Sequence, residues 1–223
     1  MIMFVSLTRY GLRELIIFGV PVAIGLGFSI VFFPWIIPIP AFLLMFLFNF
    51  FRDPERNPPR GEGLIITPAD GTVTHIVTVF EDSYLKCETT KISIFMSVLN
   101  VHVNRMPAKG CVEFIRHTTG KFLDARDEEC FSSNENNIIG LSLIGSDAKI
   151  AVKQIAGKIA KRIVCACTAG DRFEQGQRFG MIKFGSRVEV FVPNSVGFEV
   201  VVKAGDKVTA GKTVLGRMHK SGQ

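Results

Sequence analysis

GMIKFGSRVEVFVP, running from Gly180 to Pro193, joins a short apolar run to a β-type run through a Gly-Ser pair. Gly185 has no Cβ, so its carbonyl can be approached closely and its backbone tolerates strained angles. Ser186 puts a hydroxyl one residue downstream. As a dipeptide alone, Gly-Ser is an ordinary turn between two strands. Outward from this stretch the texture persists. LIITPADGTVTHIVTV, KISIFMSVLNVHV, GCVEFIRHTTG, NNIIGLSLI, KIAVKQIAG and KRIVCACTAGD are short, β-branched and parted by turn residues. The pattern predicts a mainly β (α+β) domain starting near Leu64. Lys158–Ile163 reads equally as helix or strand. KFLDARDEECFSSNENN, with a charge cluster at Asp124–Glu129, reads as a solvated loop.

One unit repeats: AGDRFEQG (Ala169–Gly176) recurs as AGDKVTAG (Ala204–Gly211). Each is a Gly-Asp turn and a short loop ending in glycine. Such units recur in barrel-sandwich folds, so the repeat predicts hairpin architecture rather than chemistry. It also leaves open a membrane-tethered carrier or adaptor of the lipoyl kind. A carrier needs a lysine at an exposed hairpin tip flanked by Met or Asp, and neither repeat has one.

Leu15 to Phe51 carries no charged side chain, nearly twice the roughly 20 residues that one membrane-spanning helix needs. Pro34, Pro38 and Pro40 interrupt the run, which predicts two apolar helices, Leu15–Phe33 and Ala41–Phe51. Arg9 and Arg13 precede them and Arg52, Arg56 and Arg60 follow, a balance that puts both ends in the cytoplasm. A cleaved signal peptide has a shorter apolar region and a small-residue cleavage site; an uncleaved anchor fits better, spanning or re-entrant. RDPERNPPRGEG reads as a linker. The expected division is a helical hairpin over 1–51, a linker over 52–63 and a catalytic domain over 64–223.

The 223 residues carry a net charge of +6 and are 48% hydrophobic. That suits an anionic membrane surface, and no nucleic-acid motif is present. Five cysteines, an odd number without framework spacing, predict reduced thiols. Cys165 and Cys167 are the only close pair and read as strand residues. No metal site is expected, and no HExxH, P-loop or dinucleotide fingerprint occurs.

The Gly-Ser pair permits a specific reaction. A serine hydroxyl can attack the carbonyl of its own preceding peptide bond, giving an ester. β-Elimination then cuts the chain and leaves a dehydroalanine that hydrolyses to a pyruvoyl group. The run Ile159–Pro193 closely resembles the phosphatidylserine decarboxylase family in its short, membrane-proximal form. FFRDPERNPP (Phe50–Pro59), PADG (Pro68–Gly71), FMSVLNVHVNRMP (Phe95–Pro107) and GKFLDA (Gly120–Ala125) match as well, in family order. The resemblance implies self-cleavage between Gly185 and Ser186 and a pyruvoyl cofactor made from Ser186. It implies a larger chain ending at Gly185 and a smaller one starting at the modified Ser186, held together without a covalent link. The implied reaction is decarboxylation of phosphatidylserine to phosphatidylethanolamine through a Schiff base, on the cytoplasmic side of the cell (inner) membrane. Archaetidylserine, an ether lipid with the same headgroup, is the alternative substrate.

The resemblance also assigns residues. Asp70 of PADG matches an acid of a triad-like set, although Asp-Gly is also a favoured turn pair. His102 takes the family's role in decarboxylation. Larger relatives carry a second histidine where this chain has Arg105, which stays protonated and is a poor base. The base for self-cleavage is therefore open between His102 and Asp70, and Arg105 suits the substrate's phosphate or carboxylate. His117 lies in a matching segment and is grouped with substrate binding. His75 and His219 read as surface residues. Strand alternation would put Asn100, His102 and Asn104 on one face and Leu99, Val101 and Val103 on the other.

Overall fold

The computed structural model describes residues 6–121, 133–157, 162–183 and 186–219. The Asp124–Glu129 cluster, Cys130, most of GKFLDA, residues 158–161 and the pair Phe184-Gly185 lie outside the described residues. The chain divides into two compact units, Met1–Glu55 and Arg56–Gln223.

The first unit is a helical hairpin, α1 (Leu12–Phe32) and α2 (Pro38–Phe50), joined through a single 3-10 turn at Pro34–Ile36. The second helix starts earlier than predicted. Proline's fixed φ suits a first turn, where its missing N–H is not needed. Isoleucines, valines and phenylalanines stand exposed along α1, from Ile16 to Phe32. Arg9–Phe32 is long and apolar enough to cross a bilayer, whereas Pro34–Phe50 is shorter. The hairpin's ends meet: Leu7 bridges Arg52, and the Thr8 amide donates to the Phe51 carbonyl at 2.9 Å.

The second unit is built on an antiparallel sheet of eight strands. Its long members are β2 (Gly71–Glu81), β3 (Cys87–Met96), β5 (Gly110–Thr118), β6 (Asn136–Leu143), β7 (Lys149–Ala156) and β11 (Ser186–Pro193). Two-residue strands, β9 (Arg172–Phe173) and β13 (Lys207–Val208), form its borders. The spatial order is β13-β2-β3-β11-β7-β6-β5-β9. Two smaller sheets are β1-β14-β12, from Leu64–Ile66, Val214–Met218 and Phe198–Val200, and β4-β10-β8, from Val103–Arg105, Arg178–Ile182 and Ile163–Cys165. The fold is mainly β, with apolar helices at the N-terminal side of the sequence, as the strand texture predicts.

Alternation explains the core. Val188, Val190 and Val192 point to one face of β11 and pack with Ile92, Ile94, Val152 and Ile139. The same cluster takes in Ile65, Leu215, Phe179 and Ile182, so both small sheets close over that inner face. Arg187, Glu189 and Phe191 point the other way. A cavity of about 290 Å³ opens on that outer face, lined in part by Lys91, Lys153 and Glu189.

The repeat marks two equivalent corners. Gly170 and Gly205 take φ of 95° and 97°, angles that favour glycine. Asp171 and Asp206 each accept a backbone amide three residues back, from Thr168 and Lys203, both at 2.8 Å. The Asp171 carbonyl accepts from Val112, and that of Asp206 from Val73, both at 2.9 Å. The two copies thereby start β9 beside β5 and β13 beside β2.

One expectation needs correction. FMSVLNVHVNRMP is not one strand with a polar and an apolar face. The Asn100 amide donates to the Ser97 carbonyl at 3.0 Å, and Asn100 Oδ1 accepts from Ser97 N and Oγ. This turn ends β3, so the parity of the faces is lost before β4 begins. Leu99 is 64% exposed, while Val101, His102, Val103 and Asn104 are all buried.

Candidate active site

Ser186 is the first residue of β11 and is fully buried. Its backbone stands opposite Met96 of β3 on one side and Ala156 of β7 on the other. Its hydroxyl lies 3.4 Å from Met96 Sδ, a weak acceptor that fixes the rotor without competing strongly for its proton.

A chain of buried amides approaches the same sulfur. Asn104 donates to Met96 Sδ at 3.9 Å, Gln154 Nε2 donates to Asn104 Oδ1 at 2.8 Å, and Asn137 Nδ2 donates to Gln154 Oε1 at 3.2 Å. These three side chains come from β4, β7 and β6 and are buried on the core side of the sheet. Buried amides persist in an apolar core only when hydrogen-bonded to one another in this way.

His102 sits between the Ser97–Asn100 turn and β4, fully buried. Its Nδ1 lies 2.8 Å from the Asn100 carbonyl. A carbonyl only accepts, so Nδ1 carries the proton and Nε2 is the nitrogen left for proton exchange in the neutral ring. The His102 carbonyl accepts from the Ile182 amide at 3.3 Å. That bond puts the histidine's backbone beside the end of β10, with buried Lys183 next in sequence.

Asp70 closes the turn that leads into β2. Gly71 pairs with Val208, and Thr72 with Phe95, so Asp70 lies at the same end of the sheet as Ser186, with β3 between their strands. At the usual spacing of ~4.8 Å per strand, two strands separate their backbones by roughly 10 Å. In this form Asp70 is engaged elsewhere: Arg56 holds its carboxylate with both terminal nitrogens, and the Ala210 amide donates to it at 2.7 Å. Arg105 is buried nearby. Its amide donates to Pro68 O at 2.9 Å and its guanidinium to Gly176 O at 3.1 Å.

The structure thus gathers Ser186, Met96 and the amides of Asn104, Gln154 and Asn137, sets the His102 backbone against the end of β10, and holds Asp70 and Arg105 in an adjoining charged cluster. His117 stands apart, half exposed on β5, three strands from β11, with Nε2 3.8 Å from Glu135. Arg56, Met96, Gln154 and Asn137 are absent from the sequence-predicted site, whereas Asn104 falls on the polar face predicted with His102. Arg56 was read as linker, and Gln154 and Asn137 gave no local signal, because only pairing across strands puts them in one place.

Fold and site define the class: an enzyme domain, mainly β, built around a buried serine at the first position of its central strand. The family model for phosphatidylserine decarboxylase matches residues 43–216. A phosphatidylserine decarboxylase proenzyme from Pelobacter propionicus is 46% identical over 196 residues, 88% of this chain and 84% of that protein. One from Syntrophus aciditrophicus is 44% identical over 204 residues, 89% of this chain and 94% of that protein. One from Solidesulfovibrio magneticus is 40% identical over 212 residues, covering 95% and 96%. The chain belongs to the phosphatidylserine decarboxylase family and is a carboxy-lyase.

Proposed function

We propose that this carboxy-lyase converts phosphatidylserine to phosphatidylethanolamine, using a pyruvoyl group that the chain makes from Ser186 by breaking its own Gly185–Ser186 bond. One observation carries the reading: Ser186 is fully buried at the start of the central strand, in a chain whose relatives are named proenzymes. A group made from Ser186 fits these surroundings. The position is dry, β3 and β7 hold its backbone from both sides, and Met96 and the Asn104 amide lie beside it. Once formed, the group supplies the carbonyl electron sink that a C–C bond cleavage needs and that no ordinary side chain offers.

The remaining work falls to the chain's own residues. Ser186 Oγ attacks the Gly185 carbonyl, and a base must take the Oγ proton. His102 suits the task, because Asn100 holds the protonated Nδ1 and Nε2 is the basic nitrogen of the neutral ring. Asp70, gripped by Arg56, supplies the negative charge of the set from the adjoining cluster. Arg105 is assigned to the phosphate or carboxylate of the substrate, and His117, at the same end of the sheet, to the outer headgroup. After the cut, β11 stays paired with β3 from Ser186 to Pro193, which retains residues 186–223 without a covalent link. Residues 1–51 serve as membrane anchor with both ends cytoplasmic, 52–63 as linker and 64–223 as catalytic domain.

The test is a denaturing gel, intact mass and carbon dioxide release on phosphatidylserine vesicles. Active wild type should give two chains, the smaller beginning with a blocked residue at position 186. Ser186→Ala should give one chain of 24.7 kDa and no gas. Hydroxylamine should abolish activity. Active protein with an intact serine at 186 would end the proposal.

A further inference from the structure

Cys165 ends β8, and Cys167 lies just beyond it, with the two sulfur atoms 3.2 Å apart. Cys165 is half-buried and Cys167 buried. A hydrogen bond from the Cys167 thiol, aided by its backbone and by the Asn137 side chain, brings the Cys165 thiol down to about 6. The thiolate so formed pushes the Cys167 thiol up. A reachable thiolate with a second thiol against it is the arrangement that oxidises to a disulfide rather than stopping at a single-sulfur acid.

The pair also sits at a mechanical junction. Cys165 pairs with Gly180 of β10, and the intervening Ala166 amide donates to Phe179 O at 2.7 Å. The other edge of β10 pairs with β4, which carries Asn104, and Ile182 donates to the His102 carbonyl. Asn137, which hydrogen-bonds Cys165, is the far end of the amide chain that reaches Met96 and Ser186. Two routes therefore lead from this sulfur pair toward the serine, one through β10 and β4 and one through Asn137 and Gln154, and they converge on Asn104.

We propose that Cys165 and Cys167 form a redox-active dithiol whose closure to a disulfide disables the Ser186 site. The link to activity rests on the function proposed above; the dithiol itself does not. With hydrogen peroxide as oxidant, the Cys165 thiolate attacks one peroxide oxygen and breaks the O–O bond. The departing hydroxide takes up a proton from solvent, the one released when the thiolate formed, leaving a sulfenic acid and one water. Cys167 sulfur then displaces the sulfenic hydroxyl, its proton leaves with that hydroxyl as a second water, and the S–S bond forms. Two electrons pass from the sulfur pair to the peroxide. The sulfurs close from 3.2 Å to about 2.0 Å, which twists the chain at Ala166 against β10. It also removes the thiolate that Asn137 faces.

The experiment treats processed, reduced full-length protein with hydrogen peroxide and follows intact mass, peptide mapping and decarboxylation together. The expected product has lost two hydrogens, maps to a Cys165–Cys167 link, and has lost most of its activity, which dithiothreitol restores. Cys167→Ser should keep the reduced-form activity and instead form a dimedone-reactive sulfenic acid at Cys165. A pair that keeps both thiols, or links to another cysteine, overturns the dithiol. A mapped disulfide with unchanged activity overturns its connection to Ser186. Reduced protein that is inactive with Ser186 intact refutes the function reading instead, and the mass result still judges the sulfur pair.

Discussion

Arg56 and Asp70, fourteen residues apart, form a two-point ion pair whose carboxylate also accepts the Ala210 amide. Both side chains are largely buried, at 6% and 13% exposure. Arg56 additionally donates to the Ala210 carbonyl at 2.7 Å. One arginine from a Pro-rich segment thus ties the β2 entry turn to the second Gly-Asp repeat.

Removing one partner of such a pair strands the other. Arg56→Ala should destabilise the protein by about 3 kcal/mol or more and leave uncut chain. Urea unfolding and the gel ratio of cut to uncut chain measure both. A variant as stable as wild type would show that the ion pair contributes nothing net.

Gln154 sits mid-chain in the buried amide series. Gln154→Leu should remove the donor to Asn104 Oδ1 and one acceptor of Asn137 Nδ2, costing about 1–3 kcal/mol and slowing self-cleavage. The time course of chain cutting after a denatured protein is refolded is the measurement. Unchanged kinetics would disconnect the amides from Ser186.

Gly180 has no room for a side chain. A Cβ there would lie 2.1 Å from the Val164 carbonyl oxygen and 3.3 Å from Gln154 Nε2. Gly180→Ala should cost about 1–3 kcal/mol through forced separation of β8 from β10. A thermal melt matching wild type would argue against the close approach of these strands.

Lys153, on the outer face of β7, is held below the usual lysine range, chiefly by burial. Lys91 and Arg116 add to this, while Glu189 and Asp82 oppose it. Between its folded and unfolded pKa the unfolded state binds more protons, so this group adds stability as pH rises. Lys153→Met should therefore melt above wild type at pH 7, with the difference narrowing toward pH 10. A difference that widens instead would mean that the charged lysine stabilises the fold.

The strands, the hairpin and the repeated corners were legible because each is written in local texture: β-branched runs, prolines within an apolar run, Gly-Asp turns. Ser186 and His102 are singled out by motif alone, and their burial adds to the case for them. Arg56 was not legible, because its partner lies across a turn and its own surroundings read as linker. Gln154 and Asn137 look like ordinary strand residues until antiparallel register aligns them. The faces of FMSVLNVHVNRMP were misread because a four-residue turn, invisible to a period-two count, resets the parity between Met96 and Val103.

The two-residue border strands have a consequence for behaviour in a crowded cell. A long bare margin invites a foreign strand to dock by main-chain bonding. Here Lys207–Val208 and Arg172–Phe173 end almost as soon as they begin, and each carries a cation. The sheet therefore offers neighbouring molecules little template for fibril-like growth, and the paired corners guard its flanks as well as shape them.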